Sequence, residues 1–204
     1  MSLVSHSGLR PRRLPQQQRG RRRVDGLLRA AARVIAEGGY EAATMSAIAA
    51  RAESAIGSLY QFFPNKESVV DALRARYARE LEKIWDSLAA EANRLTVEEL
   101  VSRLIHSQVD FAERHAAFFA LFDAPPTVNT MRRREMFRAR IGRVILKRNP
   151  RIPRNETLRI AAVVQQIVKG LLTLYARADK AEKSIIVGEF KLVLTGYLVA
   201  KLRG

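Results

Sequence analysis

The side chains with the clearest potential for chemistry lie between residues 54 and 63. Ser54, Tyr60 and Gln61 carry hydrogen-bonding groups, whereas Leu59 and Phe63 are apolar and four positions apart. On a helix, positions four apart share a face, so Leu59 and Phe63 are expected to face a core. A short helix with a small, polar outer face fits the major groove of DNA, which is about 12 Å wide. The positions predicted to lie near DNA are Ser54, Ala55, Ile56, Ser58, Tyr60 and Gln61.

Motifs that would indicate catalysis are missing from the sequence. The chain has no cysteine, no glycine-rich phosphate loop and no G-x-S-x-G or H-E-x-x-H pattern. Glu98 and Glu99 are adjacent, so their carboxylates diverge on a helix. The three histidines, His6, His106 and His115, are too scattered for a metal site. We therefore predict that the protein is not an enzyme and that it uses no metal or cofactor.

The net charge of +16 is concentrated in two segments. Residues 1–23 contain seven arginines and no acidic residue, and residues 132–154 contain ten basic residues and one acidic residue, Glu135. The rest of the chain is balanced. A protein with so large a positive charge typically binds nucleic acid, an anionic membrane surface or an acidic molecule.

Residues 1–20 are predicted to form a flexible basic arm, because prolines and glutamines replace any apolar pattern there. Arginines 19 and 21–23 directly precede the first helix, and Arg21 and Arg22 are candidate DNA contacts. The arm would follow the DNA backbone or enter a minor groove, unless it is a solvated tail that aids solubility. Without an apolar signal segment the protein is expected to be cytoplasmic, with an organellar transit peptide as the alternative.

Past residue 20, apolar residues recur at helical spacing and no alternating strand pattern occurs. Gly38-Gly39 predicts the end of the first helix, and Thr44 and Asn65 are placed to cap later helices. Thr96 and Glu99 have the spacing of a capping box. The predicted fold class is therefore all-α. Three helices form a helix-turn-helix DNA-binding domain at residues 21–80, with the motif itself at about 44–63, and residues 81–204 form a helical domain.

The final helix, Ile185–Leu202, is apolar almost all round. Its charged residues Glu189, Lys191 and Lys201 make it a poor membrane span, so we expect no membrane association. A helix of this kind must be buried on two sides. We predict that the last two helices form a homodimer; the alternative is one helix threaded through the protein's own core.

The stretch from Gly38 to Ala49 and the stretch from Ala52 to Glu67 closely resemble the DNA-binding domain of the TetR family of transcriptional regulators. The resemblance covers about residues 21–80, with the pattern T…IA…A……G.LY.(F/Y)F.(N/S)KE. It implies a ligand-responsive, dimeric DNA-binding protein. The C-terminal part resembles the family only in size and helical character.

The resemblance also implies roles for single residues. Thr44, Tyr60 and Lys66 would contact phosphates, and Gly57 would permit a close approach of the backbone to DNA. Gln61 would read adenine, and Ile56 would contact a thymine methyl group. The full set of implied DNA contacts is Arg21, Arg22, Thr44, Ser46, Ser54, Ala55, Ile56, Gly57, Ser58, Tyr60, Gln61 and Lys66.

The sequence departs from the family pattern in the turn of the helix-turn-helix. Glu53 stands where the family usually has glycine, and Ala55 stands where it often has serine. A carboxylate at this position repels phosphate, and the helix cap is expected to pass to Ser54.

By the same resemblance, residues 81–204 should bind an unidentified small-molecule effector that separates the two DNA-binding heads. Polar side chains on apolar helix faces are the first candidates for its pocket: Gln108, His115 and Gln165. Aromatic side chains could line it or could simply pack in the core: Trp85, Phe111, Phe118, Phe119, Phe122 and Tyr175.

The second basic segment, 132–154, has Arg132, Arg133, Arg140, Arg143 and Lys147 on one side of a helix. We interpret it as a solvated face. The alternatives are binding of an acidic effector or protein, or non-specific attraction to DNA or membrane.

Together these observations predict a sequence-specific transcriptional regulator that binds a pseudo-palindromic operator in double-stranded DNA as a dimer. We expect a repressor that a ligand releases from DNA, and an activator is the alternative. A non-specific basic nucleic-acid-binding protein is the alternative, although such a protein needs no defined recognition helix.

Overall fold

The computed structural model describes residues 16–121 and 124–202. Over these residues the chain folds into nine helices without a strand, as the apolar periodicity predicts. In chain order the helices are α1 Gln16–Ala42, α2 Met45–Arg51, α3 Ile56–Tyr60, α4 Lys66–Glu91, α5 Val97–Arg114, α6 Ala117–Ala120, α7 Val128–Arg148, α8 Arg154–Tyr175 and α9 Lys180–Leu202.

The helical path of α1 is interrupted at Gly39, which takes a left-handed φ of 76°. A side chain at Gly38 would meet the Cβ of Ala42 at 2.6 Å. Both glycines are therefore needed here. The predicted stop corresponds to a break at Gly39, after which a last helical turn runs to Ala42. At its other end α1 begins at Gln16, so residues 16–20 of the predicted arm are helical. Residues 1–15 lie outside the described residues.

Side-chain caps fix where helices α2, α4 and α5 begin. The hydroxyl of Thr44 accepts a hydrogen bond from the backbone N–H of Ala47 at 3.1 Å, and Asn65 forms a capping box with Ser68 at the start of α4. Thr96 and Glu99 form the predicted capping box of α5. These three predictions are confirmed, because each depends only on residues close in sequence.

Two hydrophobic cores share α4. Val69 and Leu73 belong to the N-terminal core with Ile35, whereas Trp85 and Leu88 belong to the C-terminal core. The N-terminal core also contains Phe111, Ala117, Leu121 and Ala124 from the second half of the chain. The division between residues 80 and 81 thus falls inside one continuous helix, and the DNA-binding head packs directly on α5 and α6.

Helix α7 is fastened to α4 by its arginines. Arg133 pairs with Asp71, Arg140 lies 2.9 Å from Glu82 and 2.7 Å from Asp86, and Arg143 lies 3.1 Å from Asp86. The interpretation of this side as a plain solvated face is therefore wrong for Arg133 and Arg140, whereas Arg143 is 57% exposed and lies on a solvated face. All three arginines pair with acidic side chains of α4, and the sequence of α7 alone does not show that these side chains are nearby.

Asp71 is the centre of the first of these contacts. It also accepts hydrogen bonds from the hydroxyl of Thr127 at 2.5 Å and from the amide of Asn129 at 2.7 Å. Partial burial by itself raises the pKa of Asp71, but the hydrogen bonds from Thr127, Asn129 and Arg133 outweigh it and hold the pKa below its ordinary value. The carboxylate ties the start of α7 to α4.

Helices α8 and α9 complete the C-terminal domain. By length and apolar composition α8 alone among the described helices could span a membrane, yet the face that includes Ile160, Val164 and Leu171 is buried in the protein core. A core helix passes such a test of composition. Helix α9 is different, since only Leu194 and Leu198 are buried along it.

Candidate DNA interface and internal cavity

Helices α2 and α3 form a helix-turn-helix with α3 on the outside. Leu59 is fully buried and Phe63, just past α3, is 7% exposed, so both face the core as the sequence predicts. Ile48 of α2 is also fully buried beneath them. These contacts fix which side of α3 faces solvent.

The outward side of α3 presents side chains of mixed chemistry. Tyr60 is 51% exposed and Ile56 is 44% exposed. Ala55, Gly57 and Gln61 are also exposed, and Ser54 and Ser58 are half-buried. A phenol, an amide and an aliphatic group therefore share one surface, and these groups can bind a phosphate, a base edge and a thymine methyl group.

The turn before α3 is strained at Glu53, which has a left-handed φ of 50°. Ser54 does not cap α3, contrary to the expectation. The capping position is Ala55, which makes no side-chain hydrogen bond. The hydroxyl of Ser54 instead accepts a hydrogen bond from Arg23 of α1 at 3.3 Å, which joins the turn to the first helix.

The other implied DNA contacts differ in availability. Thr44 is exposed, and while its oxygen caps α2 its own O–H is free to donate to a phosphate. Ser46 is exposed on the first turn of α2, and Arg21 and Arg22 are exposed on α1. Within residues 16–121 and 124–202, no ion pair or side-chain hydrogen bond engages Arg21, Arg22 or Ser46.

Lys66 lies at the first turn of α4, but its ammonium group already has partners within the protein. Its Nζ lies 3.8 Å above the ring of Tyr40 and 3.4 Å from both the carbonyl and the carboxylate of Glu41. The side chain is only 18% exposed. A contact between Lys66 and a phosphate would therefore require the ammonium group to leave Tyr40.

A cavity of about 330 Å³, open to solvent on one side, lies between α4, α7 and α8. Its apolar wall includes Tyr77, Leu81, Phe118, Phe137 and Leu172. Burial raises the pKa of Tyr77 to about 12, so its hydroxyl stays protonated at neutral pH. The polar part of the lining consists of Arg74, Gln108, Thr130, Arg133, Arg134, Gln165, Gln166 and Lys169.

Of the residues predicted for the effector pocket, Gln108 and Gln165 line this cavity. Gln108 is 2% exposed, and its amide nitrogen has no hydrogen-bond partner among the described residues. Gln165 accepts a hydrogen bond from Arg138 at 2.9 Å. Phe118 also lines the cavity. Phe122 lies outside the described residues.

The other predicted pocket residues have structural roles elsewhere. Trp85 packs edge-to-face on Phe137 with ring centroids 5.5 Å apart and borders a separate void of about 20 Å³. Phe119 packs against the C-terminal core. Phe119 faces away from the cavity because it is adjacent to the lining residue Phe118, and adjacent positions on a helix point in different directions. Trp85 lies one turn beyond the lining residue Leu81, in the C-terminal core.

His115, Phe111 and Tyr175 also lie away from the cavity. The Nε2 of His115 is 2.8 Å from Glu80, and its ring contacts Tyr77 and Phe111. Tyr175 donates a hydrogen bond to Glu113 at 2.6 Å; burial, helped by this bond, raises the pKa of Tyr175 to about 12. These polar groups satisfy one another at the edge of the core.

Two regions of the chain match known protein families. Residues 27–73 match the family described as bacterial regulatory proteins, tetR family. Residues 96–198 match the family described as tetracyclin repressor-like, C-terminal domain, which is half of the chain. The chain belongs to the TetR family.

Individual TetR-family relatives are similar over parts of the chain. The HTH-type transcriptional repressor KstR of Rhodococcus jostii is 44% identical over 69 residues, which are 34% of this chain and 29% of KstR. The uncharacterised regulator YhgD of Bacillus subtilis is 30% identical over 105 residues, 52% of this chain and 54% of YhgD. The chain thus spans less than two thirds of either relative.

The fold extends the likeness to most of the chain. A TetR-family regulator from Streptomyces coelicolor superposes with a TM-score of 0.64 at 24% identity, covering 87% of this chain and 98% of that one. At this identity the likeness shows the TetR fold alone. The all-helical architecture predicted from the sequence, a helix-turn-helix domain followed by a helical domain, is confirmed.

Sequence reasoning missed the contribution of α4 to the cavity. Arg74, Tyr77 and Leu81 line it, although residues up to 80 were assigned to the DNA-binding domain. The signal that could have found them is the length of the helix opened by Asn65, which has to extend beyond the TetR head. Arg134 and Lys169 were missed because nothing local distinguishes them from other exposed cations.

Proposed function

We propose that this TetR-family protein is a homodimeric, sequence-specific transcriptional regulator. In this proposal it represses transcription from a pseudo-palindromic operator and a small molecule in the cavity releases it. The observation that supports the proposal best is the outward face of α3, where Ile56, Tyr60 and Gln61 are exposed above the buried Leu59 and Phe63. KstR, a relative over 69 residues, is named as a repressor.

The DNA-binding surface continues beyond α3. Thr44 and Ser46 border it on α2, and Arg21 and Arg22 extend it along α1. The arginines would add a sequence-independent, salt-sensitive contribution by neutralising phosphates. Gly57 supports a close approach to DNA, since a side chain there would meet no protein atom within 4 Å, and steric demands of the fold do not explain the glycine.

Exposed apolar side chains on α9 support the dimer. Ile185 is 64% exposed, Leu192 is 70% exposed and Val193 is 54% exposed. Gly188 and Gly196 lie on the same outward side, with open space where a side chain would be. Each glycine inside a helix costs about 1 kcal/mol relative to alanine, and close packing against a second helix accounts for both.

Leu174 of α8 is a further exposed apolar side chain, with 52% of it exposed. A two-fold dimer through α8 and α9 would bury these side chains in a self-complementary interface. Two heads related by the same axis would then bind half-sites about one helical turn apart. We expect the regulator to act in the cytoplasm, where its operator is.

The alternative, a non-specific nucleic-acid-binding protein, is suggested by the net charge of +16. The structure gives it less support, because some of that charge is already paired. Arg133, Arg140 and Arg143 pair with acidic residues of α4, so part of the second basic segment is already engaged within the protein. A defined exposed recognition face is also unnecessary for non-specific binding.

Selection of binding sites from a random duplex library tests the proposal. At about 0.15 M salt, where non-specific binding is weak, the protein should enrich one two-fold symmetric motif. The control is the triple variant Ile56→Ala/Tyr60→Ala/Gln61→Ala, which changes the exposed face but leaves Leu59 and Phe63 in place. It should keep its helical circular dichroism and enrich nothing.

Two results would contradict the proposal. If the wild-type protein enriches no motif while its binding collapses with salt, the protein is a non-specific binder. If the triple variant enriches the same motif, the recognition surface is not α3.

A further inference from the structure

The cavity between α4, α7 and α8 is open to solvent on one side and has an unusual charge for a largely apolar space. Four cationic residues border it, namely Arg74, Arg133, Arg134 and Lys169, and no described lining residue is acidic. Its volume of about 330 Å³ corresponds to about a dozen non-hydrogen atoms, taking the roughly 30 Å³ that one molecule occupies in liquid water. A ligand of that size would fill the cavity and lie close to several of these charges at once.

Two of the four cations are already used by the fold. Arg74 donates hydrogen bonds to the carbonyls of Leu121, Ala124 and Pro125 at 2.7 to 3.0 Å. Arg133 pairs with Asp71. Burial also lowers the pKa of Arg74, which is the direction expected for a cation in a poorly solvated place.

The other two cations have no such role. Arg134 on α7 and Lys169 on α8 border the same cavity from neighbouring helices. Neither side chain has a hydrogen-bond or ion-pair partner anywhere in the described part of the chain. They form a pair of unused positive charges at the edge of an apolar space.

A third polar group points to a ligand independently of charge. The amide nitrogen of Gln108 is buried, lies on the cavity wall and has no partner among the described residues. A buried donor without an acceptor is unfavourable in a folded protein, so an acceptor atom is expected beside it. An oxygen of a bound molecule would satisfy it.

We propose that the cavity binds an amphipathic organic anion with a second oxygen atom that accepts a hydrogen bond. The apolar body lies against Tyr77, Leu81 and Phe137, the anionic group pairs with Arg134 and Lys169, and the second oxygen accepts from Gln108. The inference rests on the proposed effector cavity and adds the chemical class of the effector.

Three molecules that differ in one group each provide the test: decanoate, 1-decanol and 10-hydroxydecanoate. Their chain of ten carbons matches the cavity volume and carries no other recognition group. Calorimetry with the full chain, without DNA, should show decanoate binding about tenfold more tightly than 1-decanol, because only decanoate makes charged hydrogen bonds. The terminal hydroxyl of 10-hydroxydecanoate should add about fivefold.

Variants then assign the contacts. Arg134→Gln/Lys169→Gln should weaken decanoate binding about tenfold and leave 1-decanol unchanged. The matched control is Arg132→Gln/Lys147→Gln, which removes the same charge from exposed positions of α7 that do not line the cavity; it should change neither affinity. Gln108→Leu should abolish the advantage of 10-hydroxydecanoate over decanoate.

The class is overturned if 1-decanol binds as tightly as decanoate, if neither binds, or if both double variants act alike. Addition of operator DNA separates this inference from the proposed function. Decanoate that binds as expected but leaves DNA bound supports the anion class and refutes ligand release. A protein that selects an operator but binds neither probe remains a regulator, and the anion class falls.

Discussion

Replacing Leu192 by alanine should weaken the proposed dimer without unfolding the protomer. Leu192 lies on the outward side of α9 and is 70% exposed, so it contributes little to the core of its own chain. Exposed substitutions of this kind usually change stability by less than about 0.5 kcal/mol. In a dimer through α8 and α9, by contrast, both copies of Leu192 would be buried.

The expected magnitude follows from the exposed fraction. Full burial of a leucine side chain is worth about 1.5–3 kcal/mol, and the 70% still exposed leaves about 1.5 kcal/mol to be gained at the interface. A two-fold interface contains the residue twice, which gives about 3 kcal/mol. At 1.4 kcal/mol per factor of ten, the dimer Kd should rise about a hundredfold.

Sedimentation equilibrium over a range of protein concentrations measures that Kd, and circular dichroism follows the fold. Leu146→Ala is the matched control, since Leu146 is 38% exposed on α7, outside the proposed interface. Binding to a full operator should weaken in parallel for Leu192→Ala only, because a monomer contacts a single half-site.

The reasoning would be refuted by a variant that dimerises as tightly as the wild type. A dimer Kd raised equally by Leu146→Ala would refute it as well, since the interface would then not lie on α9. If the wild-type protein is monomeric at all concentrations, the exposed face of α9 binds a partner other than a second copy of the chain.

Three further predictions concern the head and its support. Glu53→Gly should stabilise the protein by about 0.5–1 kcal/mol, because the left-handed φ of 50° costs a non-glycine residue more than the added chain entropy of glycine; chemical denaturation measures it. Tyr60→Phe should weaken binding to all operators by a similar factor, about 1 kcal/mol, whereas Gln61→Ala should lose about 1–3 kcal/mol of preference at one base pair, measured by competition with single-base operator variants. Asp71→Asn should destabilise by about 2 kcal/mol at neutral pH. The folded-state pKa of Asp71 is depressed, so its contribution is present above the ordinary value of 3.8 and is lost as the pH falls through the lower folded value, and the difference from wild type should shrink there.

Each of these predictions has an outcome that contradicts it. Glu53→Gln removes the charge but keeps the backbone strain, so equal stabilisation by Gln and Gly would exclude strain as the cause. Equal losses at every base pair for Gln61→Ala would exclude a reading role. A gap between Asp71→Asn and wild type that stays constant down to pH 3 would show that the carboxylate does not titrate with folding.

The sequence alone determined what depends on neighbouring residues. The stop at Gly38-Gly39, the caps at Thr44 and Asn65, and the burial of Leu59 and Phe63 follow from helix periodicity and local hydrogen bonds. The family pattern lies in the same stretch, so the helix-turn-helix and its outward residues could be predicted together. The apolar surface of the last helix could also be predicted, because it follows from the positions of apolar residues around that one helix.

Only the tertiary structure decided which distant groups meet. Arg133 and Asp71 are 62 positions apart, and His115 meets Glu80 across the junction of two helices rather than in a pocket. The cavity likewise combines Gln108 of α5 with cations of α7 and α8. The direction of each side chain can be read from its own helix, but its partner depends on how the helices pack, and packing is a property of the whole fold.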